Sequence, residues 1–322
     1  METEAETHGL VCAFHLDPVE SCEHDIFSPD AAGRPRWLHF NVADARARRW
    51  LQEESGLPDE AAELLSQLDP RVQVRRAGGG VVAVLSDLHH DFGTDPEGFG
   101  KIRVYVDGDW MVTARADRLR TADRVRRHLE REFRRGTPWA LFEHFIEKLV
   151  NTFVEEIAKL NDAVDVAEDE ILAGRYQAQA PVLGRVRRTC ARLRRHLHGN
   201  RAALAYLRTH LPDVLESEEH RGLREAIDRF DGQELESLQE RTRLLQEEIA
   251  ARVSEATNRS LFLLSMISAA LLPITLITGI FGMNVGGLPF SSHPHGFLWV
   301  MLGMIATVLG AVVWIRRRRR EP

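Results

Sequence analysis

The amino-acid sequence predicts an α/β domain that is followed by a long helical stalk and by two membrane-spanning helices. Three observations predict this fold class. Strand-like and helix-like segments alternate in the first third of the chain, charged helical patterns fill the middle, and two apolar runs lie near the carboxyl end. The predicted domain boundaries follow these changes: 1–135 for the α/β domain, 136–258 for the helical arms and stalk, 259–284 for the first span, 285–296 for an external loop, 297–315 for the second span and 316–322 for a basic tail.

Short segments rich in β-branched and aromatic residues are the strand candidates of the first part of the chain. These segments are residues 11–16, 37–42, 72–76, 81–86, 102–106 and 110–114. Asp107-Gly108, between the last two segments, is a typical hairpin turn. Apolar residues at helical spacing over 43–55 and 59–68 predict helices between the strands, so we expect a mixed sheet.

From Arg118 onward the pattern of the sequence is almost entirely helical. Residues 139–172 and 181–210 are predicted to form two helical arms. The next segment, 216–255, carries twelve acidic residues against six arginines and meets the first apolar run without a proline. We therefore predict one long helix that continues from this segment into the membrane. Its acidic excess either concentrates cations or is an ordinary solvated face.

Two apolar runs are long enough to cross a lipid bilayer. Residues 261–283 and 297–315 contain no Asp, Glu, Lys or Arg, and roughly 20 apolar residues are needed to cross the hydrocarbon core. Trp299 and Trp314 lie near the ends of the second run, where interfacial aromatic residues are common. A buried helical hairpin is a poor alternative, because arginines 316–320 follow the second run directly.

Basic residues predict the orientation of the two spans. Arg259 precedes the first span, arginines 316–320 follow the second, and the loop between them has no Lys or Arg. The positive-inside rule then places both termini in the cytosol, as in a multi-pass protein of the inner cell membrane. Three widely spaced cysteines and an acidic start fit a cytosolic amino-terminal part. The net charge of −6 gives no reason to expect nucleic-acid binding.

One face of the first span is small and polar. Spacings of three and four residues place these side chains on that face: Asn258, Leu261, Ser265, Ser268, Leu272, Thr275 and Gly279. Such a stripe suits either close helix packing or a water-lined path, and the spacing leaves both open. Two spans cannot enclose a pore, so a pore would need several copies of the chain. Because the span has no charged side chain, an ion in it would keep much of its hydration shell.

The first span ends in the tripeptide Gly282-Met283-Asn284. The stretch LLPITLITGIFGMN at 271–284 resembles the CorA-type family of metal-ion transporters, whose signature is Gly-Met-Asn after a Pro-x-Thr helix. The following VGGLP at 285–289 looks like the zinc-transporting ZntB branch, because the magnesium branch typically has an acidic loop there. The second span and the basic tail add weight to the resemblance, which is sharpest over the membrane part of the chain.

The resemblance implies a homopentamer in which five copies of the first span line a central pore within membrane lipid. Five Asn284 side chains would ring the outer mouth, where amide oxygens accept hydrogen bonds from the water around a divalent cation. Gly282 would allow a tight turn and Met283 would pack beside it, which makes the tripeptide the selectivity filter. The polar stripe would face the pore, with Leu261 and Leu272 as hydrophobic constrictions. The resemblance also implies transported zinc or magnesium, no cofactor and no enzymatic activity.

Several groups of His, Cys and acidic residues are weaker metal-site candidates. His293 and His295 in the external loop either attract Zn²⁺ at the mouth or are solvated loop histidines. Neither of two clusters nearer the amino terminus has a recognised zinc spacing, and an acidic run is either a divalent-ion sensor or a solvated helix face. These further candidates are His89, His90 and Asp91; Cys12, His15, Cys22 and His24; and Asp162, Asp165, Glu168, Asp169 and Glu170.

The leading interpretation is a zinc transporter of the CorA type. The nearest alternative is a magnesium or broad-specificity divalent-cation channel of the same family. A membrane-anchored sensor or scaffold that does not conduct is an alternative from a different class. A membrane-bound enzyme that uses His89, His90 and Asp91 is poorly supported, because no nucleophile–base pair or complete metal motif accompanies them.

Overall fold

The computed structural model describes residues 9–22, 35–90, 98–131, 136–210, 221–228, 233–283 and 294–318. The chain divides into two compact units, one up to Leu245 and one from Gln246 onward. The first unit contains a sheet and the helices that cover it. The second contains the apolar helices. Each unit is described separately.

A mixed sheet of seven strands forms the centre of the first unit. The strands are β1 (Leu10–Leu16), β2 (Val19–Ser21), β3 (Arg36–Asn41), β4 (Gln73–Ala77), β5 (Gly80–Leu88), β6 (Phe99–Val106) and β7 (Trp110–Arg115). Their order across the sheet is β2-β1-β3-β7-β6-β5-β4. The pair β3–β7 is parallel and the other pairs are antiparallel, which confirms the predicted mixed sheet.

Helices cover both faces of this sheet. On one face lie α1 (Ala45–Glu53) and α2 (Asp59–Ser66), where Trp50 packs on Phe40 with ring centroids 4.9 Å apart. On the other face, α4 (Pro138–Leu172) contacts β5, β6 and β7, and α5 (Gln179–His210) contacts β4 and β5. All nine residues of β5 are buried, as expected of a strand that is covered on both sides.

The six predicted strands are all present, with bounds that differ by a few residues. The predicted helices over 43–55 and 59–68 are confirmed as α1 and α2, which are slightly shorter. Asp44 caps α1, because its carboxylate accepts a hydrogen bond from the Arg46 N–H at 2.8 Å. The strand that the sequence did not reveal is β2, whose three residues are too few to show an alternating pattern.

Beyond the sheet the chain is helical, as predicted. Helix α3 (Arg120–Arg131) is followed by α4, which begins with the capping residue Thr137 and with Pro138 at its first position. The predicted arms over 139–172 and 181–210 correspond to α4 and α5. These helices bury a row of large apolar side chains, which include Phe142, Phe145 and Phe153.

The prediction of one helix from residue 216 onward is wrong at its start. A separate short helix, α6 (Arg221–Asp228), buries Leu223 and Ile227 and packs on α4. The long helix α7 (Gln233–Phe281) begins only afterwards. The sequence between them contains Asp231-Gly232, a dipeptide that favours turns over helix. The continuation of α7 from the acidic segment into the first apolar run, without a break, agrees with the prediction.

The second unit contains the apolar part of α7 and helix α8 (Gly296–Arg318). Among the described residues, one helix is long and apolar enough to cross a membrane, Glu234–Phe281. The predicted second span lies within α8, of which the described residues give the apolar stretch Gly296–Gly310. Two membrane spans therefore stay a prediction.

Candidate ion pathway and metal sites

The predicted polar stripe lies entirely on helix α7. Its residues recur at heptad spacing, so they share one face of the helix from Asn258 to Gly279. The apolar members of this face are uncovered within one chain: the exposed fractions are 55% for Leu261 and 70% for Leu272. Each Å² of apolar surface that stays in water costs about 25 cal/mol relative to the same surface buried. The helix therefore requires a cover of lipid or of further copies of the chain.

The threonines of the span direct their hydroxyl protons back into the helix. Thr275 Oγ1 donates to the Leu271 carbonyl at 3.0 Å, and Thr278 Oγ1 donates to the Ile274 carbonyl at 2.9 Å. With its proton engaged, each hydroxyl oxygen offers its lone pairs as acceptors. A hydroxyl acceptor of this kind can accept a hydrogen bond from the water around a cation.

Helix α7 ends at Phe281, just before the Gly-Met-Asn tripeptide. The Gly282 N–H donates to the Thr278 carbonyl at 2.8 Å, and the Met283 N–H donates to the Ile280 carbonyl at 3.4 Å. A Cβ atom at Gly282 would lie 2.9 Å from the Thr278 carbonyl oxygen, so a larger residue would push this turn apart. The carbonyl groups at the end of a helix carry partial negative charge, which favours a cation there.

The structure places the remaining predicted mouth residues only in part. Met283 is 50% exposed in the single chain, so its expected packing partner is not within the described residues of that chain. Asn284 and His293 lie outside the described residues. His295 is exposed just before α8, and its carbonyl accepts hydrogen bonds from Leu298 and Trp299. The filter and the two histidines stay predictions.

Comparison with known protein families decides where the chain belongs. Residues 33–317 match the sequence model of a family described as CorA-like Mg²⁺ transporter protein. The match includes strands β3 to β7, the helical arms, the long helix and the tripeptide. The chain belongs to the CorA-like family.

Two characterised relatives of this CorA-like protein differ in their named cargo. It is 26% identical over 325 residues to the zinc transport protein ZntB of Pectobacterium carotovorum, and the alignment covers 98% of this chain and 97% of the relative. It is 29% identical over 293 residues to the divalent cation transporter CmaX of Pseudomonas aeruginosa, with 88% and 86% of the two chains covered. Both alignments extend over nearly the whole protein.

The fold of the CorA-like chain is also found in a solved structure. The structure of the full-length CmaX protein superposes with a TM-score of 0.80 at 24% sequence identity, and covers 98% of this chain and 99% of that chain. At this identity the likeness concerns the fold alone. It supports the order of elements that the sequence predicts, an α/β part followed by a long helix.

The predicted histidine clusters do not assemble a metal site in the described part of this CorA-like protein. His89 Nε2 lies 3.7 Å from Asp117, and His90 Nδ1 lies 3.8 Å from Asp123, so the two histidines face different carboxylates. Asp91 lies outside the described residues. No group of three or more His, Cys, Asp or Glu side chains within the described ranges is placed to hold a metal ion.

The described members of the cysteine cluster form no metal site either, because the two cysteines belong to the buried core. Cys12 and Cys22 are buried in the first unit, with exposed fractions of 1% and 5%, and neither forms a disulfide. Cys22 belongs to the apolar cluster beneath α1 and α2. His24 lies outside the described residues. Cys12 and Cys22 thus act as small core residues in the part that the structure describes.

The acidic run on α4 is largely neutralised by arginines. Arg241 of α7 contacts both Asp165, at 2.6 Å, and Glu168. Arg175 holds Glu170 through two short hydrogen bonds and thereby lowers the pKa of that carboxyl. Carboxylates that are already paired with guanidinium groups are poor ligands for a divalent cation. The arrangement favours the solvated-face interpretation of this run over the sensor.

Sequence reasoning missed two polar groups that lie beside the sheet, one of them buried and the other half-buried. Asp87, at the end of β5, accepts hydrogen bonds from the Thr121 N–H and hydroxyl, and burial raises its pKa to about 6. His196 of α5 stacks on Phe99 at 3.9 Å, and burial and nearby cations lower its pKa to about 4. Neither residue stands in a motif, so the sequence holds no local signal for them. Both join elements that are far apart in the chain.

Proposed function

We propose that this protein carries Zn²⁺ across the inner cell membrane, through a pore that several copies of α7 surround. Divalent-cation transport is the function of the CorA-like family to which the chain belongs. The observation that carries the proposal is the polar stripe on α7, which leads to the Gly282-Met283-Asn284 tripeptide. Zinc as the cargo is supported by the ZntB relative and by the acid-free loop sequence that follows the tripeptide.

The pathway favours a hydrated ion over a bare one. The stripe offers hydroxyl and amide oxygens and no carboxylate, so it does not replace the shell of water that surrounds a divalent cation. Thr275, whose proton is engaged by the Leu271 carbonyl, offers an acceptor to the water in that shell. Asn284 at the outer mouth offers an amide oxygen in the same way.

Two features of the single chain support oligomer formation. Two helices cannot enclose a channel, and the exposed leucines of α7 require a cover. We propose a homopentamer in which five α7 helices line the pore, with α8 as the second span and both termini in the cytosol. Arginines 316–320 and Arg259 support this orientation. Light scattering of the purified protein in detergent measures the number of copies directly.

The alternative cargo is Mg²⁺ or a broad set of divalent cations. The CmaX relative, named only as a divalent cation transporter, is slightly more identical than the ZntB relative. A second alternative is a sensor or scaffold that does not conduct. The intact tripeptide and the polar stripe favour conduction over this alternative.

Ion flux in liposomes tests the proposal. We expect purified protein to take up Zn²⁺ faster than Mg²⁺, and dependence on a pH gradient would identify coupling to protons. Magnesium uptake that exceeds zinc uptake would move the protein to the alternative cargo. A verified pentamer without flux of either ion would support the sensor or scaffold.

The variant Asn284→Ala tests the role of the filter in the same assay. We expect it to lose selective transport while the pentamer stays assembled. Ser291→Ala, which removes a polar group from the same loop sequence outside the tripeptide, is the matched control. Unchanged selectivity in an assembled Asn284→Ala variant would refute the role given to this residue.

A further inference from the structure

A basic pocket lies between helices α3 and α4 in the first unit. Its volume is about 450 Å³, which falls within the roughly 300–1,000 Å³ of small-molecule sites. Helix α3 lines it with Arg124, Arg127, His128 and Arg131, and α4 lines it with Lys148, Asn151 and Glu155. The spacings of three and four residues place each set on one helix face, so the side chains converge on the same space.

The charges in this pocket are not balanced. Four full positive charges line it against one carboxylate, that of Glu155. Glu155 is already occupied, because Arg124 donates to both of its oxygens, at 2.9 and 2.5 Å. Arg124 also donates to Thr152, so this pair holds α3 against α4 and forms one wall of the pocket. Three positive charges thus remain without a counter-charge among the lining residues.

Within the part of the chain that the structure describes, the remaining cations are available to a ligand. Arg127 donates through Nε to the Asp123 carbonyl of its own helix at 3.1 Å, which leaves its terminal amino groups for other partners. The pocket is open to solvent at Arg127 and Arg131, and Lys148 and Asn151 are half-buried on the α4 side. A half-buried ammonium beside guanidinium groups gains much from an anion, because their mutual repulsion is relieved.

We propose that this pocket binds a small phosphorylated anion of at least two negative charges. Guanidinium groups match the oxygens of a phosphate group in pairs, and an ammonium adds a point charge. Asn151 contributes a neutral amide donor beside them. The limited volume favours a small anion over a nucleic acid or a protein surface, and the net charge of −6 makes the pocket a local exception to an acidic chain. The proposal is independent of the transported ion.

Titration calorimetry of the full-length protein in detergent tests this proposal. The probes are inorganic phosphate, pyrophosphate and ATP, each without a divalent cation and at low salt. We expect saturable binding of pyrophosphate or ATP that weakens as salt is added. Equal affinity for pyrophosphate and ATP would mean that the site binds the phosphate groups alone. Tighter binding of ATP would mean that the site also contacts the nucleoside. Absence of saturable binding of all three probes would overturn the proposal.

The variant Lys148→Gln locates the binding. We expect it to weaken pyrophosphate binding at least about tenfold, as the loss of a charge-assisted contact predicts. Lys159→Gln is the control, because it removes the same charge from α4 at a position outside the pocket. Equal weakening of pyrophosphate binding in both variants would indicate attraction by net charge alone and would refute a specific binding site at the pocket. Arg131→Gln, at an exposed position where folding is not at risk, repeats the test on α3.

Discussion

Asn200 and Ser86 are joined by two hydrogen bonds across 114 residues of sequence. The Ser86 N–H donates to Asn200 Oδ1 at 2.7 Å, and Asn200 Nδ2 donates to the Ser86 carbonyl at 2.8 Å. Strand β4 pairs with β5 only as far as Gln73 opposite Val84, so Ser86 lies beyond the end of that ladder. The side-chain amide therefore takes the place of the missing strand and ties α5 to the sheet.

The variant Asn200→Ala is predicted to destabilise the first unit. It leaves a buried N–H and a buried carbonyl without partners, which costs about 2–4 kcal/mol of unfolding free energy. Denaturant unfolding of the full-length protein in detergent, followed by tryptophan fluorescence, measures this loss. His198→Ala, an exposed residue on the same helix, serves as the control and is expected to change little. A similar loss in both variants would contradict the special role of the amide.

Asp87 is predicted to make folding less favourable as the pH rises. Burial raises its pKa to about 6 in the folded protein, above the usual 3.8, although the Thr121 N–H and hydroxyl donate to it. The folded state thus binds the proton more tightly, and the stability that this gives is present below pH 3.8 and is lost as the pH rises through 6. The loss is about 3 kcal/mol at most.

The variant Asp87→Asn is expected to remove this contribution. Its stability relative to the wild type should rise between pH 4 and 6.5, measured by denaturant unfolding at several pH values. Asp69→Asn removes an equal charge at an exposed position and is the control. Parallel pH profiles for the wild type and Asp87→Asn would show that the carboxyl titrates normally.

His196 has the opposite effect in nearly the same pH range. Burial and the charges of Arg195 and Lys101 lower its pKa to about 4, below the usual 6.5. The unfolded state therefore takes up the proton first, so the stability from neutral His196 is present above pH 6.5 and is lost as the pH falls toward 4. Because the ring is partly exposed, we discount the loss to about 1–2 kcal/mol.

The variant His196→Gln is predicted to flatten the acid side of the stability profile. It also loses the stacking on Phe99, so its stability at pH 7.5 should be lower than that of the wild type. The difference between the two proteins should shrink as the pH falls from 6.5 to 4.5. His198→Gln, an exposed substitution on the same helix, is expected to follow the wild-type profile. A difference that is constant across this range would rule out titration of His196.

The sequence predicted those elements that a local pattern of side chains marks. The runs of β-branched and apolar residues marked β5 and β7, which are buried almost throughout, and the helical spacing marked α1 and α2, each of which buries one face. The start of α7 was missed, because the acidic pattern continues across the Asp231-Gly232 dipeptide while α6 packs separately on α4. Spacing also placed the polar stripe on α7.

Contacts between distant residues could not be predicted in this way. The bonds between Asn200 and Ser86 depend on where β4 ends, which no local pattern indicates. Arg241 likewise neutralises Asp165 and Glu168 from a helix that lies more than seventy residues away. The sequence alone therefore left a metal site on α4 open, and the pairing with Arg241 became visible only in the structure.

Thr275 and Thr278 provide a matched test of the pore-facing stripe. Both hydroxyls donate to the carbonyl four residues earlier, at 3.0 and 2.9 Å, but only Thr275 lies on the stripe. Thr275→Val keeps the shape and removes an acceptor from every copy, so we expect Zn²⁺ flux in liposomes to fall about three- to tenfold. Thr278→Val should leave flux within twofold of the wild type. The reverse ranking of the two variants would place the pore on another face of α7.

Leu272 tests whether a hydrophobic constriction limits the flux. It lies on the stripe and is 70% exposed in one chain, whereas Leu263, 50% exposed, lies about 180° away around the helix. A ring of leucines narrows the path and repels water, so Leu272→Ala should widen and wet it. We expect Zn²⁺ flux to rise severalfold and the preference over Mg²⁺ to weaken. Leu263→Ala removes the same volume from the opposite face of the helix and should change neither quantity, provided that light scattering finds both variants assembled like the wild type. An equal increase in the two variants would mean that loosened packing causes the leak, and the constriction would then have to lie elsewhere on the helix.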